Sequence, residues 1–213
     1  MNLEKELTRV AGNGIGGIHY DGSGRAIATN GFGLTVIDLA SIGHEGKEKG
    51  TVIVKPDDNW RCERSVFPDW QTVVPRSWSI RHVGKLREWK DVARRVMLEN
   101  KKPGNGLNGR SLIRVGDAAF NPSVLWLLLL TLQKIGGNDD VAAHHSGSGG
   151  ALRPVVFVAG CGYALTMPIR EHAPFSSNFW KSETIPISDN DFNGVAIGRI
   201  PHDSAEPIVW RGN

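Results

Sequence analysis

Leu3, Leu7 and Val10 recur at spacings of four and three in LEKELTRVA, which predicts a short helix over residues 3–11. The pattern then changes. Gly17–Tyr20 and Arg25–Thr29 flank Asp21-Gly22-Ser23-Gly24 and read as a β-hairpin. LTVIDL and TVIVKP are two further β-branched runs, separated by the charged loop His44–Lys49. Residues 57–79 carry no clear period and read as a connector, packed down by aromatics. KLREWKDVARRVML predicts a second helix. Its Leu86, Trp89, Val92, Ala93, Val96 and Met97 fall on one face, with Arg87, Lys90 and Arg94 in a stripe beside it.

The most apolar stretch is AAFNPSVLWLLLLTLQKIGG, in which seven apolar residues run unbroken from Val124 to Leu130. A membrane span needs about 20 apolar residues, and Thr131, Gln133 and Lys134 interrupt this run. Asn121 suits an N-cap, Pro122 the first helical position and Gly136 a stop. The segment therefore predicts a water-soluble helix buried on more than one side. RSLIRVG before it reads as a strand, and NDDVAAHHSGSGGALRP after it as a loop. VVFVAG and YALTMPI read as strands meeting at Gly160-Cys161-Gly162, and the last 43 residues lose clear periodicity apart from GVAIGRI and PIVW. The fold class is α+β, with short helices among antiparallel strands.

Composition adds little except charge. The 213 residues carry a net charge of only +3. From Arg76 to Val115, however, eleven basic residues face three acidic ones, a net of +8 that leaves −5 for the rest. Such a segment suits phosphates or acidic surfaces, or forms a solvated basic face. Cys62 and Cys161 are far apart and form no metal spacing, so a reduced, cytoplasmic protein is expected. The polar N-terminus does not read as a signal peptide.

The chemical motifs are weak. Gly12, Gly14 and Gly17 fit G-x-G-x-x-G, but a helix precedes them and a strand follows, the reverse of a dinucleotide site. His144-His145 has no spaced acidic or cysteine partner and reads as a flexible surface pair. Asp57-Asp58 and Asp139-Asp140 read as loop acids. No cofactor, metal or catalytic residue is implied, and the expectation is a non-enzyme.

Four segments in order resemble the bacterial DNA polymerase III beta subunit, the sliding clamp. They are IGGIHYDGSGRAIATNGFGL, VIVKP, FPDWQTVVP, and FNPSVLWLLLLTL with YALTMPIR. The first resembles the clamp stretch that ends in a Thr-Asp-Gly-x-x-Leu turn, the third its Phe-Pro-Asp-Tyr connector, and the last its closing Met-Pro-x-Arg strand. The resemblance covers roughly residues 1–170. It implies a sliding-clamp-like fold in which 1–75 form a first unit with connector, 76–170 a second unit with the terminal helix and Met-Pro-Ile-Arg strand, and 171–213 a C-terminal extension. Only Asp57–Val66 stands where a clamp would place a helix and three strands, so the chain reads as a reduced clamp of about three half-domain units.

The resemblance further implies helices lining a hole, through which double-stranded DNA is held by its phosphates without sequence readout. Arg81, Lys85, Arg87, Lys90, Arg94 and Arg95 are the candidate DNA contacts. The Ser123–Leu132 helix is too apolar for such a surface and should face protein. It also implies an apolar groove for peptides of replication proteins that carry clamp-binding motifs. Matching positions are Ile15, Thr29, Gly31, Leu34, Pro68, Val73, Met167, Pro168, Ile169 and Arg170, which as plain residues read equally as core and connector packing. The turn departs from the family pattern: Asn30 replaces Asp, and Phe32-Gly33 replaces the usual His-Arg pair. The extension, with PFSSNFW near its start, is expected to cover or modify the groove. Closing a ring would require self-association of so short a chain. The expected work is that of a replication accessory protein. The rivals are a non-ring interaction module or regulator that keeps only the groove, and an enzyme of unrelated fold.

Overall fold

A computed structural model describes residues 2–12, 17–46, 48–54, 60–63, 67–74, 78–101, 112–115, 118–136, 140–145, 154–169, 182–184 and 197–198. Three helices pack on one face of a long sheet, and a short connector covers part of the other.

Helix α1 spans Leu3–Ala11 and starts at Asn2, whose side-chain oxygen accepts from the Lys5 amide at 2.9 Å. Helix α2 spans Leu86–Glu99 and buries Leu86, Trp89, Ala93, Val96 and Met97, the face that its periodicity predicts. Helix α3 spans Pro122–Gly136. Asn121 Oδ1 accepts from the Ser123 amide at 2.9 Å, as an N-cap should. Helix α3 packs against both α1 and α2 as well as the sheet, which accounts for its apolar surface. Leu125, Leu128, Leu129, Leu132 and Ile135 are buried, and Val124, Trp126 and Leu127 pack partly buried around them. Among the described residues no helix is long and apolar enough to cross a membrane.

The strands are β1 Ile18–Tyr20, β2 Arg25–Thr29, β3 Gly33–Asp38, β4 Gly50–Val54, β5 Trp60–Glu63, β6 Trp78–Lys85, β7 Leu112–Val115, β8 Ala118–Phe120, β9 Asp140–His145, β10 Val155–Ala159, β11 Gly162–Thr166, β12 Ser182–Thr184 and β13 Ile197–Gly198. Ten of them form one sheet, ordered β13-β6-β9-β10-β11-β3-β2-β1-β4-β5, and a second sheet has the order β12-β7-β8. Antiparallel β3 and β11 pair from Gly33↔Thr166 to Ile37↔Gly162, so the large sheet runs unbroken from the N-terminal elements into the C-terminal ones. Strands β10 and β11 are buried along their whole length, because helices cover one face and the connector the other. That is why VVFVA reads as a continuous apolar run without alternation.

Two stretches differ from the sequence reading. Trp60–Glu63, expected in the connector, pairs with β4 through Val54↔Trp60 to Thr51↔Glu63, and Trp78 opens the eight-residue β6. Asp140–His145, expected as loop with a flexible His pair, is a strand held between β6 and β10. The extension contributes two short strands among the described residues: β12 lies parallel to β7, and β13 antiparallel to β6. The rest of it lies outside the described residues, as do PFSSNFW and PIVW.

Candidate functional site

The face of the sheet away from the helices carries its own apolar cluster: Ile27, Leu34, Val36, Trp70, Val74, Val156, Val158, Tyr163 and Leu165, with Phe67 partly buried against it. The connector supplies its cover. Trp70–Val73 forms a 3-10 turn that buries Trp70. Two cross-contacts pin the connector. The Phe67 ring stacks on His19 at 4.8 Å, and the Arg25 guanidinium lies over Trp70 at 5.4 Å. Arg25 Nε in turn donates to Asp21 at 2.6 Å, and Asp21 also accepts from the Ser23 amide and hydroxyl. Burial works to raise the Asp21 pKa, but the bonds from Ser23 and the charge of Arg25 outweigh it and hold the carboxyl below its ordinary value. Burial lowers the His19 pKa, with Asp21 opposing and Lys49 adding to the effect.

Beside the turn that joins β2 to β3, the row of cluster residues continues into exposed side chains. Thr29 Oγ1 donates to the Gly33 carbonyl at 2.8 Å and accepts from the Gly31 amide at 3.1 Å. Asn30 Oδ1 accepts from the Phe32 and Gly33 amides at 3.0 and 2.9 Å. Both bonds use the oxygen only as an acceptor, so an aspartate would serve equally, and Asn30 in place of Asp leaves this turn unchanged. Gly31 takes φ 86°, a conformation glycine adopts without steric cost. Gly33 is crowded on its helix side. A Cβ there would lie 3.0 Å from Leu128 Cδ1 and 3.1 Å from Val124 Cγ1 of α3. A side chain where the family resemblance would put arginine would therefore press on the greasy helix, whose Leu128 and Val124 would have to give by a few tenths of an ångström.

Phe32 is opposite in character. Its carbonyl accepts from the Met167 amide at 3.0 Å, continuing the β3–β11 ladder, while its side chain is 69% exposed. Met167 is 40% exposed and Val73, on the connector turn, 43%. Among the expected groove residues, Thr29 and Leu34 are buried, Gly31 and Pro68 exposed, and Pro168 and Ile169 half-buried. Ile169 is fixed by its amide, which donates to the Ala119 carbonyl at 2.8 Å. Ile15 and Arg170 lie outside the described residues. Phe32 was legible only as a departure from a family pattern. An apolar residue at the tip of an Asn-Gly turn was the available signal.

The basic stripe lies on the opposite face. Lys85, Arg87, Arg94 and Arg95 are exposed on or beside α2. Lys90 is less available: its amine donates to Gln133 Oε1 of α3 at 2.8 Å, and its side chain is 17% exposed. Arg87 stands 3.9 Å from Asp91. Asp91 and Glu99 also join Arg94, Arg95 and Leu98 around an open hollow, so acids intersperse the bases. Arg81 lies within β6. Among the described residues no group of three or more His, Cys, Asp or Glu could hold a metal ion.

The arrangement is matched by known structures. The DNA polymerase III beta subunit of Pseudomonas aeruginosa superposes with a TM-score of 0.51 over 79% of this chain and 65% of that one, at 14% identity. The fold is that of a bacterial sliding clamp. The beta subunit of Thermotoga maritima (TM-score 0.49, 15% identity, 80% of this chain and 64% of that one) is also similar. So is the Helicobacter pylori beta clamp bound to a DNA ligase peptide (TM-score 0.49, 12% identity, 79% and 62%). The chain spans less than two thirds of the length of these clamps. No protein-family model matches the sequence, and no curated protein does. The exposed Phe32 and Met167 lie where the β2–β3 turn meets the segment that follows β11.

Proposed function

We propose that this chain is a clamp-fold replication accessory protein that binds linear peptide motifs of partner proteins in the groove bordered by the Thr29–Gly33 turn, the connector and Met167–Ile169. The observation that carries this reading is the placement of exposed apolar side chains. Phe32 and Met167 face each other one rung beyond the buried Leu34–Leu165 pair, and Val73 is exposed on the connector turn that covers the same cluster. Exposed apolar side chains that adjoin one another mark interaction sites, and an apolar groove suits an extended peptide. The work is binding, without a chemical step, in the cytoplasm.

The test uses the DNA ligase peptide that the Helicobacter pylori clamp binds, labelled with fluorescein, in an anisotropy titration. The wild-type chain is expected to bind at micromolar concentration, and Met167→Asp or Val73→Asp to weaken binding at least about 10-fold, as loss of an interface anchor does. Absence of binding by the folded wild type would refute the reading.

A second reading, non-specific association with double-stranded DNA, is favoured by exposed Arg87, Arg94 and Arg95 on one helix. It predicts retention of duplex DNA that falls steeply with salt. Lys90, engaged by Gln133, contributes least. Ring closure on this reading requires self-association, so light scattering with and without DNA distinguishes a ring from a lone binding module.

A further inference from the structure

Helix α3 has a side that the sheet does not use. At about 100° per residue, Ser123, Trp126, Leu130, Gln133 and Lys134 fall on the arc turned away from Leu128, which lies against Gly33 of β3, and Leu127 borders that arc. Burial agrees with the wheel. Ser123 and Lys134 are exposed and Trp126, Leu127, Leu130 and Gln133 half-buried, whereas Leu125, Leu128, Leu129 and Leu132 are buried. The outward arc thus carries an apolar strip of Trp126, Leu127 and Leu130, where a helix that covers a sheet ordinarily turns polar residues to water.

Two basic edges flank this strip. On one side α1 is tied to α3 through Lys134 Nζ, 3.5 Å from Glu6 Oε1, and on the other α2 is tied through Lys90 and Gln133. Buried Glu6 is shared by Arg9 and Lys134. Lys5, Arg9 and Lys134 are exposed along the first edge, and Arg87 and Arg94, spaced three and four from Lys90, along the second. Asp91 is the acid of the second edge, 3.6 Å from Lys90 and 3.9 Å from Arg87. Leu98 is also exposed there, in the open hollow that Arg94 helps to line. Duplex DNA would satisfy the bases, but its phosphates offer nothing to Trp126, Leu127 and Leu130. A second copy of the chain, docked strip to strip, would set like charges against each other. An acidic amphipathic helix answers both features, with apolar side chains recurring at three and four and carboxylates on either side of them.

We infer that the outward side of the helix layer is a docking surface for an acidic amphipathic helix of a partner protein, which lays apolar side chains on the α3 strip and carboxylates on the two basic edges. This surface is independent of the proposed groove. The probe is a fluorescein-labelled synthetic peptide of about 20 residues, built of Leu, Glu and Ala with every Leu on one helical face. Anisotropy compares it with a scrambled peptide of the same composition and with labelled duplex DNA. The full chain should bind the amphipathic peptide at least about 10-fold more tightly than the scrambled one, and Leu130→Glu should abolish that difference. Lys5→Glu combined with Arg94→Glu changes exposed positions only. It should weaken the amphipathic peptide at least about 10-fold at an unchanged melting temperature, which decides the question if Leu130→Glu does not fold. Equal binding of the two peptides, no binding of either, or an affinity indifferent to the charge reversals would overturn the inference. Displacement of the probe by unlabelled DNA ligase peptide would place it in the groove and overturn the inference as well. Duplex DNA bound more tightly than the peptide by wild type and Leu130→Glu alike would give this face to DNA. A dimer in light scattering that Leu130→Glu dissociates would give it to a second copy, and either result overturns the acidic-helix assignment.

Discussion

At the scale of single residues, two of the departures from the clamp-like turn have opposite weight. Asn30 does what an aspartate would do, since both of its bonds accept protons from amides. Gly33 is pressed by the helix above it. Gly33→Ala should destabilise the chain by about 1–3 kcal/mol, the usual cost of forcing a methyl group into a packed site. Urea denaturation reads this directly, and an unchanged midpoint would show that Val124 and Leu128 yield freely. His19 gives a second expectation. Its folded-state pKa lies below the ordinary 6.5, so folding favours the neutral ring. The stability it contributes is present above pH 6.5 and is lost as pH falls through the lower folded value. Thermal melts should therefore drop below that pH more in wild type than in His19→Gln, which has no proton to gain. Equal pH slopes for the two proteins would count against this coupling.

At the scale of elements, legibility followed periodicity. Helices α1, α2 and α3 stood out because their apolar residues recur at helical spacing or are bounded by Asn121 and Gly136. Strand β6 did not, and its register shift between Ile80 and His82 explains why: the bulge breaks the alternation that announces a strand. Strand β9, DVAAHH, has few β-branched residues and becomes a strand because β6 and β10 pair with both of its edges. WRCE at β5 is four residues with two charges, too short for any pattern to assert itself. In the site, backbone-defined parts such as the turn and Met-Pro-Ile segment were readable, whereas the exposure of Phe32 depends on packing far along the chain. The connector also carries a prediction of its own. Trp70→Ala removes the main cover of the outer cluster and should cost about 3 kcal/mol. It should also weaken peptide binding through displacement of Val73, measurable in the same anisotropy titration at a temperature where the variant stays folded. A destabilised variant with wild-type affinity would separate the connector from the groove.

At the scale of the whole molecule, the sheet separates two surfaces. Leu86, Trp89, Ala93 and Val96 of α2 belong to the helix-side cluster, and Trp70 and Val74 to the outer one. The basic helix and the proposed groove thus lie on opposite faces. Reversing Arg87 and Arg94 to Glu together should abolish any duplex DNA retention yet change peptide affinity less than about 2-fold, because charges this far apart are largely screened at physiological salt. A large change in peptide affinity would contradict this separation. The apolar α3 completes the picture: its side chains fill the space between α1, α2 and the sheet, and its Val124 and Leu128 crowd Gly33 in the turn that borders the proposed groove. Hydrogen exchange of the full chain with saturating DNA ligase peptide tests the central claim most directly. Slowed exchange at amides in 30–34, 67–74 and 167–169, with α2 unchanged, is the predicted result; protection confined to α2, or none in those three segments, would contradict it.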